Sequence, residues 1–387
     1  NADKSWDIGV KNTGEISGPI IIQGIKDNKL VGEITYDGFP NKLALSFPPS
    51  DVDYFKIDYL ENMPEINRDN NTIRTHGIFK KTEPLKLQFL GSLDNPNKTQ
   101  LYYTPVAGWN NYNKWMLGMA FYNSLLPQKK FDYQLMPMYS FGTKDLSGYG
   151  SLAYSIFPSG NFIQQITIST SALRYAYSNH PFNMNFNKIT PEIKFVFKKK
   201  YARSPYENTL LYRNINIIKD DYTTNVVIDG NTSSVTSQRK QTTFNFNDIR
   251  YRFSRANAIS PLAIALDVQQ GEQIIKTSIT ANYSYKFKNK NKSFDARLFA
   301  GTFIATCSAD AGPYRFKSSG FGGSDDYLYD NIYLGRSQTE GMLSQQFAES
   351  EGAFKFYSPL GQASKWIAAL NLKSSLGNLK IPLNLYA

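Results

Sequence analysis

Residues 108–123 read GWNNYNKWMLGMAFYN, and within them Trp115, Leu117, Met119 and Phe121 occupy alternate positions, with Lys114, Gly118 and Ala120 between them. Alternation with a period of two marks a β-strand with one apolar face and one polar or small-residue face. Such a strand needs two different solvents, one on each side. The pattern recurs downstream. FDYQLMPMY sets Phe131, Tyr133 and Leu135 opposite Asp132 and Gln134, and GSLAYSIF sets Leu152, Tyr154 and Ile156 opposite Ser151, Ala153 and Ser155. Further candidates lie at Phe162–Tyr175, Glu192–Phe197, Leu210–Ile218, Thr243–Phe253, Leu262–Gln269, Ile274–Phe287, Phe294–Ile304, Ala353–Tyr357, Lys365–Lys373 and Leu379–Tyr386. In the last, Leu379, Ile381, Leu383 and Leu385 stand opposite Lys380 and Asn384. There are about a dozen such runs, each near the roughly 9 to 11 residues with which a tilted strand crosses a bilayer.

A soluble sandwich also hides one face of each strand, so two further features decide the reading. An open twisted sheet seldom keeps so many strands without closing. Aromatic residues collect at strand ends, as at Tyr139, Phe141, Tyr149 and Phe157, where an interfacial girdle places them. Lipid offers no water to unpaired backbone, so a membrane sheet has to close on itself. The pattern predicts an all-β chain dominated by a transmembrane outer-membrane β-barrel of about 12 to 14 antiparallel strands. Trp115, Leu117, Met119, Phe121, Leu379, Ile381, Leu383 and Leu385 are its expected lipid-facing residues.

Composition narrows the classes. Of the 387 residues 14% are aromatic, with 26 Tyr and 26 Phe, and 19% are charged, against about 25% charged in ordinary soluble domains. This balance favours strands and interfaces over helices. Mean hydropathy is −0.42, and no stretch approaches the roughly 18 apolar residues of a membrane helix. A helical membrane protein is excluded, whereas a barrel is not, because half of its strand residues face a polar lumen. The single cysteine, Cys307, excludes an internal disulfide framework and a cysteine-cluster metal site, and it reads as a partly buried thiol. A net charge of +11 and a pI near 9.3 would suit nucleic acid, but Lys and Arg are scattered and form no known reading motif. The expected counterparts are outer-membrane lipid, anionic lipopolysaccharide and lumenal charge, with no nucleic acid. The chain opens at Asn1 without a signal peptide, as a mature protein or the tail of a longer one does.

Residues 1–75 differ from the rest of the chain. GPIIIQGIKDNKLVGEITYDG and KLALSFP are short strand candidates punctuated by Gly, Pro, Asn and Asp. That spacing predicts a small immunoglobulin-like β-sandwich, with Ile20, Ile22, Leu43, Leu45, Phe55 and Ile57 in its core. Residues 76–110 read as a connector or plug, and 111–387 as the barrel. Short connections are expected at 158–161, 288–292 and 358–364, and long ones at 219–239 and 305–351. Outer-membrane barrels keep short turns on the periplasmic side, so parity from Lys114 places the N-terminal module outside. One further strand upstream, such as Thr99–Thr104, returns it to the periplasm.

Signals of chemistry are sparse. The two histidines, His76 in THGIF and His180 in SNHPF, belong to no spaced ligand set such as H-E-x-x-H, and both read as structural or solvent-facing. Ser178 and His180 share a strand face at most, which falls short of a hydrolytic triad. The segment GFGGSDDYLYDNIYLGR (320–336) is the most distinctive polar stretch. Asp325, Asp326 and Asp330 offer carboxylates that calcium prefers, without the spacing of an EF-hand. The plainer reading is a solvated Gly and Asp loop with aromatic packing residues, in which Asp325, Asp326, Tyr327 and Tyr329 are candidate interaction residues. FKKKYAR (197–203) reads as a charged strand end beside an anionic membrane surface.

PVAGWNNYNKWMLGMAFYN (105–123) and PMYSFGTKDLSGYGSLAYSIFP (137–158), with DYLYDNIYLGR (326–336) and GQASKWIAALNLKSSL (361–376), resemble the C-terminal half of large Bacteroidetes outer-membrane proteins. In these a barrel follows an aminopeptidase-N-like (gluzincin) metallopeptidase module. VKNTGEISGPI (10–20) and DGFPNKLALSF (37–47) resemble the β-sandwich after the catalytic module, and IDYLENMPEINRDNN (57–71) resembles its closing segment. The zinc-binding H-E-x-x-H and downstream glutamate of that module are missing from these residues. No catalytic residue carries over, no cofactor is expected in this chain, and a zinc-bearing peptidase module would lie upstream of Asn1. The chain stops inside the strand-like run NLKIPLNLYA, so closing strands are expected beyond it. The resemblance implies a barrel that anchors a peptidase-like or interaction module. It also suits a subunit of a larger outer-membrane complex for protein assembly or transport, with other outer-membrane proteins or lipoproteins as partners. An outer-membrane channel or transporter is the alternative, and a barrel-borne hydrolase the third reading.

Overall fold

The computed structural model describes residues 5–386 apart from 14–15, 61, 64–67, 69, 79, 82, 84, 92–97, 124–128, 161, 230–231, 288–291, 307–310, 338–340, 350, 356–357, 359 and 376–383. Among them there is no α-helix, only three single-turn 3-10 helices, and no helix is long and apolar enough to cross a membrane. The chain forms two compact units, residues 1–103 with 125–127 and residues 104–124 with 128–387.

The first unit holds β1 (Trp6–Lys11), β2 (Ile20–Lys26), β3 (Lys29–Tyr36), β4 (Lys42–Phe47), β5 (Tyr54–Ile57), β6 (Thr72–Arg74) and β7 (Leu85–Phe89). β1 pairs with β4, and a second sheet runs β3-β2-β5-β6. Asp27 and Asn28 both take the left-handed conformation, φ 51° and 61°, as the two-residue turn joining β2 to β3 requires. Ile8, Ile22, Phe47, Val52 and Phe55 form one buried cluster contributed by both sheets, with Ile20, Leu45 and Ile57 at its margin. Leu43, expected in this core, is half-buried outside the cluster. Two small sheets around one core are as much of the expected immunoglobulin-like sandwich as these strands establish.

The second unit is built on a large sheet. Its strands are β8 (Thr99–Asn110), β9 (Lys114–Tyr122), β10 (Phe131–Ser140), β11 (Asp145–Ile156), β12 (Ile163–Ser178), β13 (Met184–Phe197), β14 (Tyr206–Asp229), β15 (Thr232–Arg255), β16 (Leu262–Gly271), β17 (Ile274–Lys286) and β18 (Ser293–Thr306). Between β18 and β23 (Trp366–Ser375) lie the two-residue strands β19 (Phe316–Lys317), β20 (Phe321–Gly322), β21 (Phe347–Ala348) and β22 (Gln362–Ala363), and β24 (Asn384–Tyr386) comes last. The sheet has 14 strands in the order β24-β23-β18 and then each strand in turn back to β7. It is mixed, because β7 pairs parallel to the first half of β8. Among the described residues no pairing joins its two ends.

Three sequence expectations change here. The sheet begins before residue 111, since Thr99–Asn110 is itself a strand. Of residues 219–239, expected as a long loop, 219–229 and 232–239 belong to β14 and β15, which pair without a break from Tyr206 to Asp229. Of Ala353–Tyr357, expected as a strand, residues 356–357 lie outside the described residues, and 353–355 carry only an isolated bridge, from Phe354 to Ser319. Pro137 sits inside β10, where a missing N–H weakens a ladder, and the pairing with β9 skips Met136 and Pro137. Gly118 of the 108–123 stretch lies over that lapse, and a Cβ there would come 2.0 Å from the Pro137 carbonyl oxygen.

The register lines up apolar side chains on neighbouring strands in several parts of the sheet. Leu117 faces Tyr139, which faces Leu146. Farther along, Tyr251 faces Leu266 and Leu266 faces Ile279, and Leu298 faces Leu370. These side chains are exposed, as are Trp115 at 61% and Leu117 at 52%. The opposite face is covered: Met116, Ala120, Ser140, Ser147, Lys188, Asp248 and Lys276 are all buried. The usual polarity of a sheet in water, apolar inside and charged outside, is reversed.

Candidate functional site

The covered face carries charge. Strand alternation puts Lys188 of β13, Arg213 of β14, Asp248 of β15 and Lys276 of β17 on it, and the described residues of 311–363 fold against them. That segment consists of the pairs β19-β22 and β20-β21 with three 3-10 turns. It is held to the wall by ionic, polar and aromatic contacts.

Asp330 is the central ionic contact. Its Oδ1 accepts from Lys188 Nζ and from Arg213 Nη1 at 3.2 Å, and its Oδ2 accepts from Arg213 Nη2 at 3.1 Å. The same guanidinium donates through Nε to Asp248 Oδ2 at 2.9 Å, and Asp248 is fully buried. Burial alone would push the Asp330 carboxyl up, but the adjacent Arg213 and Lys188 charges outweigh it and hold the group below its ordinary range. Charges taken out of water survive only in such paired arrangements, and removing one partner strands the other. Lys276 makes the second ionic anchor. It donates to Glu351 Oε1 at 2.8 Å and to the Tyr314 carbonyl at 3.3 Å, with its ammonium 4.3 Å from the centre of the Phe316 ring.

The segment is tied internally by Arg336. Its guanidinium donates to Asp326 Oδ2 at 3.2 Å and to the carbonyl of Gly323 at 2.9 Å. It lies 4.2 Å from the Tyr329 ring centre and 4.9 Å from that of Tyr333, a cation sandwiched by aromatic faces. Asp326 also caps the turn by accepting from the Asp330 and Asn331 amides, 3.3 and 3.0 Å away. Tyr327 donates to Gln269 Oε1 at 2.7 Å. Burial drives its hydroxyl pKa well up, and that of Tyr329 up to about 12, so both are neutral donors at any physiological pH.

A third anchor is the turn inside the 108–123 stretch. Asn113, fully buried, donates through Nδ2 to Ser140 Oγ at 3.1 Å, Thr143 Oγ1 at 3.2 Å and Ser147 Oγ at 3.0 Å. Its Oδ1 accepts from Asn110 Nδ2 at 2.8 Å and from the Ala176 amide at 2.9 Å. This hub holds the 111–113 turn so that Tyr112 Oη shares a hydrogen bond with Ser344 Oγ at 3.1 Å and accepts the Arg336 amide at 3.1 Å.

On β14 and β15 the face polarity flips. Below the flip Tyr212 and Ile249 lie on the exposed face and Arg213 and Asp248 on the covered one. Above it Asn214, Asn216 and Asn245 take the exposed face, linked by amide bonds such as Asn216 Nδ2 to Asn214 Oδ1 at 2.7 Å, and Ile215, Ile217 and Phe246 take the covered one. There they form a buried cluster with Ile274, Tyr314 and Leu328. On these two strands the apolar face therefore changes side at a definite height on the sheet.

The expected interaction residues Asp325, Asp326, Tyr327 and Tyr329 come together, but not as a solvated loop. Asp325 pairs with Lys317 at 2.8 Å, Asp326 is buried, and both tyrosines pack against the wall cluster. Their carboxylates meet the protein's own cations, and no group of three metal-ligating side chains occurs among the described residues. Of the expected lipid-facing set, Trp115 and Leu117 are exposed, and Met119 and Phe121 half-buried. Leu379, Ile381 and Leu383 fall outside the described residues, and Leu385 lies in β24, paired with Ser374. Within 76–110, expected as a connector or plug, the described residues include strands at 85–89 and 99–110. Sequence reasoning missed Asn113, Lys188, Arg213, Lys276, Arg336 and Glu351. The available signal was a set of cations at polar-face strand positions facing an Asp-rich and Tyr-rich connection. No protein-family model matches this chain, and no curated protein matches it either.

Proposed function

We propose that the chain is an integral outer-membrane β-barrel whose exposed apolar side chains face lipid, whose lumen holds residues 311–363, and whose work is anchoring and assembly. The observation that carries this reading is the reversed polarity of the sheet: large apolar side chains from β9 to β23 are exposed while Asp248, Lys188 and Lys276 are buried. A soluble protein rarely leaves so extended an apolar surface in water, and lipid is the solvent that makes it favourable. Lipid in turn requires that the sheet edges close, and spanning by strands is the habit of bacterial outer membranes. With β8 counted, the chain enters the sheet at the end opposite the 311–363 connection, the periplasmic end on this reading.

The ion-paired segment against the covered face favours an anchor or complex subunit over an open channel. The resemblance to metallopeptidase-barrel proteins of the Bacteroidetes supports an associated peptidase-like module, with lipopolysaccharide around the barrel and other outer-membrane proteins or lipoproteins as partners. Extraction from native membranes and planar-bilayer recording test the two halves of the reading. The protein should need detergent for extraction and should carry no steady conductance. Recovery without detergent overturns the membrane assignment, and a steady open-pore current overturns the anchor assignment in favour of a channel.

A further inference from the structure

Strands β14 and β15 outrun their neighbours. β13 last meets β14 at Lys219, opposite Phe186, and β16 meets β15 only from Phe246 onward, opposite Gly271. Residues 220–229 and 232–241 continue as a two-stranded ribbon, and among the described residues no strand pairs with the other edge of β15 from Thr232 to Asn245. Residues 222–226, 235–236 and 238–241 are exposed. A two-stranded ribbon without a core is marginally stable in water, and a free edge is a template for a further strand. Natural edges are commonly blocked by proline, bulges or inward charges. Neither stretch contains Pro or Gly, and the β14–β15 register has no shift along its length.

The two edges differ in charge. β14 brings Asp220 and Asp221 into the ribbon. β15 has Arg239 and Lys240 and no carboxylate from Thr232 to Asn245. Across the pair Arg239 lies 3.1 Å from Asp220 and Lys240 lies 4.0 Å from Asp221, so β15 is already matched on one side to an acidic strand. We propose that the free edge of β15 between Thr232 and Asn245 takes an extended, carboxylate-bearing segment of a partner protein as a third strand. Backbone hydrogen bonds would supply the affinity and the charges the register. The inference rests on strand pairing and charge alone and stands apart from the membrane reading.

The probe is the β14 sequence itself, DDYTTNVVID (220–229), labelled with fluorescein and added to the purified full chain in detergent. Saturable binding is expected, weakened about tenfold in a peptide carrying Asp220→Lys and Asp221→Lys and lost in one carrying Thr224→Pro, which cannot complete the ladder. Amide hydrogen exchange should slow within 232–245 when the unmodified peptide binds. Absent binding, equal binding of the proline peptide, or protection confined to other residues overturns the proposal. Self-association of the chain that protects 232–245 before any peptide is added makes a second copy the occupant and likewise overturns it.

Discussion

The two units use one sequence rule toward opposite ends. In β1, β2, β4 and β5 the apolar positions turn inward: Ile8, Ile22, Phe47 and Phe55 lie buried between two small sheets, while Lys29 and Glu33 on β3 are exposed. In the large sheet, up to the flip on β14 and β15, large apolar side chains such as Leu117, Leu266 and Leu298 turn outward and Ser140, Lys188 and Asp248 are buried. A period of two establishes that a strand has two faces but not which one meets the protein interior. The difference is decided by what covers each face. Hydrophobic side chains from a second sheet cover the first unit's apolar face, and a charged, hydrogen-bonded segment covers the second unit's polar face.

That contrast can be broken most forcefully in the small core. Phe47 contacts Phe55 edge to face, with ring centres 5.0 Å apart, and packs under Gly24 and Gly32. Phe47→Ala should cost about 3 to 5 kcal/mol, read as faster amide exchange throughout β1–β6. Unchanged exchange would mean that the cluster is not the core. The mirror experiment is Leu117→Arg. Near a bilayer midplane it should cost about 2 to 4 kcal/mol of folding into lipid, whereas on a water-facing surface it should stay within about 0.5 kcal/mol.

The buried charges allow a finer test. Asp330→Asn leaves Lys188 without its carboxylate and Arg213 with Asp248 alone and should cost about 1.5 to 3 kcal/mol, seen as protease cleavage within 311–363 under conditions where the wild type resists. The smallest effect is with pH. Because the Asp330 carboxyl is held below its ordinary value in the fold, its contribution is complete above the unfolded value of about 3.9 and is lost as pH falls through the lower folded value. A protease active across the range should therefore leave Tyr327–Asp330 intact at pH 5 and cut there only below about pH 4. In Asp330→Asn this step should vanish, and a step that persists assigns it to another group.

Much of the sheet was legible because side-chain direction in a strand comes directly from sequence position. Trp115 and Leu117 were placed by alternation alone, and β16, β17 and β18 fall close to their expected runs. β14 and β15 were read too short because their faces exchange polarity near Asn214, and beyond it Thr, Asn and Asp leave no apolar row to trace. The segment 320–336 stood out in composition, yet its depth did not. Asp330, between Tyr329 and Asn331, reads as part of a surface turn until Lys188 and Arg213, more than a hundred residues earlier, are brought against it. Asn113 was invisible for the same reason: its partners Ser140, Thr143, Ser147 and Ala176 come from three later stretches of chain.

The most direct test of the reversed polarity is a nitroxide scan of residues 114–121 in lipid vesicles, one cysteine at a time in a Cys307→Ser background. Collisions with oxygen, which concentrates in the bilayer, should peak at positions 115, 117, 119 and 121 and fall at 116, 118 and 120. If the odd positions collide instead with a water-soluble nickel reagent, or if the alternation is absent, the apolar row does not face lipid and the account fails.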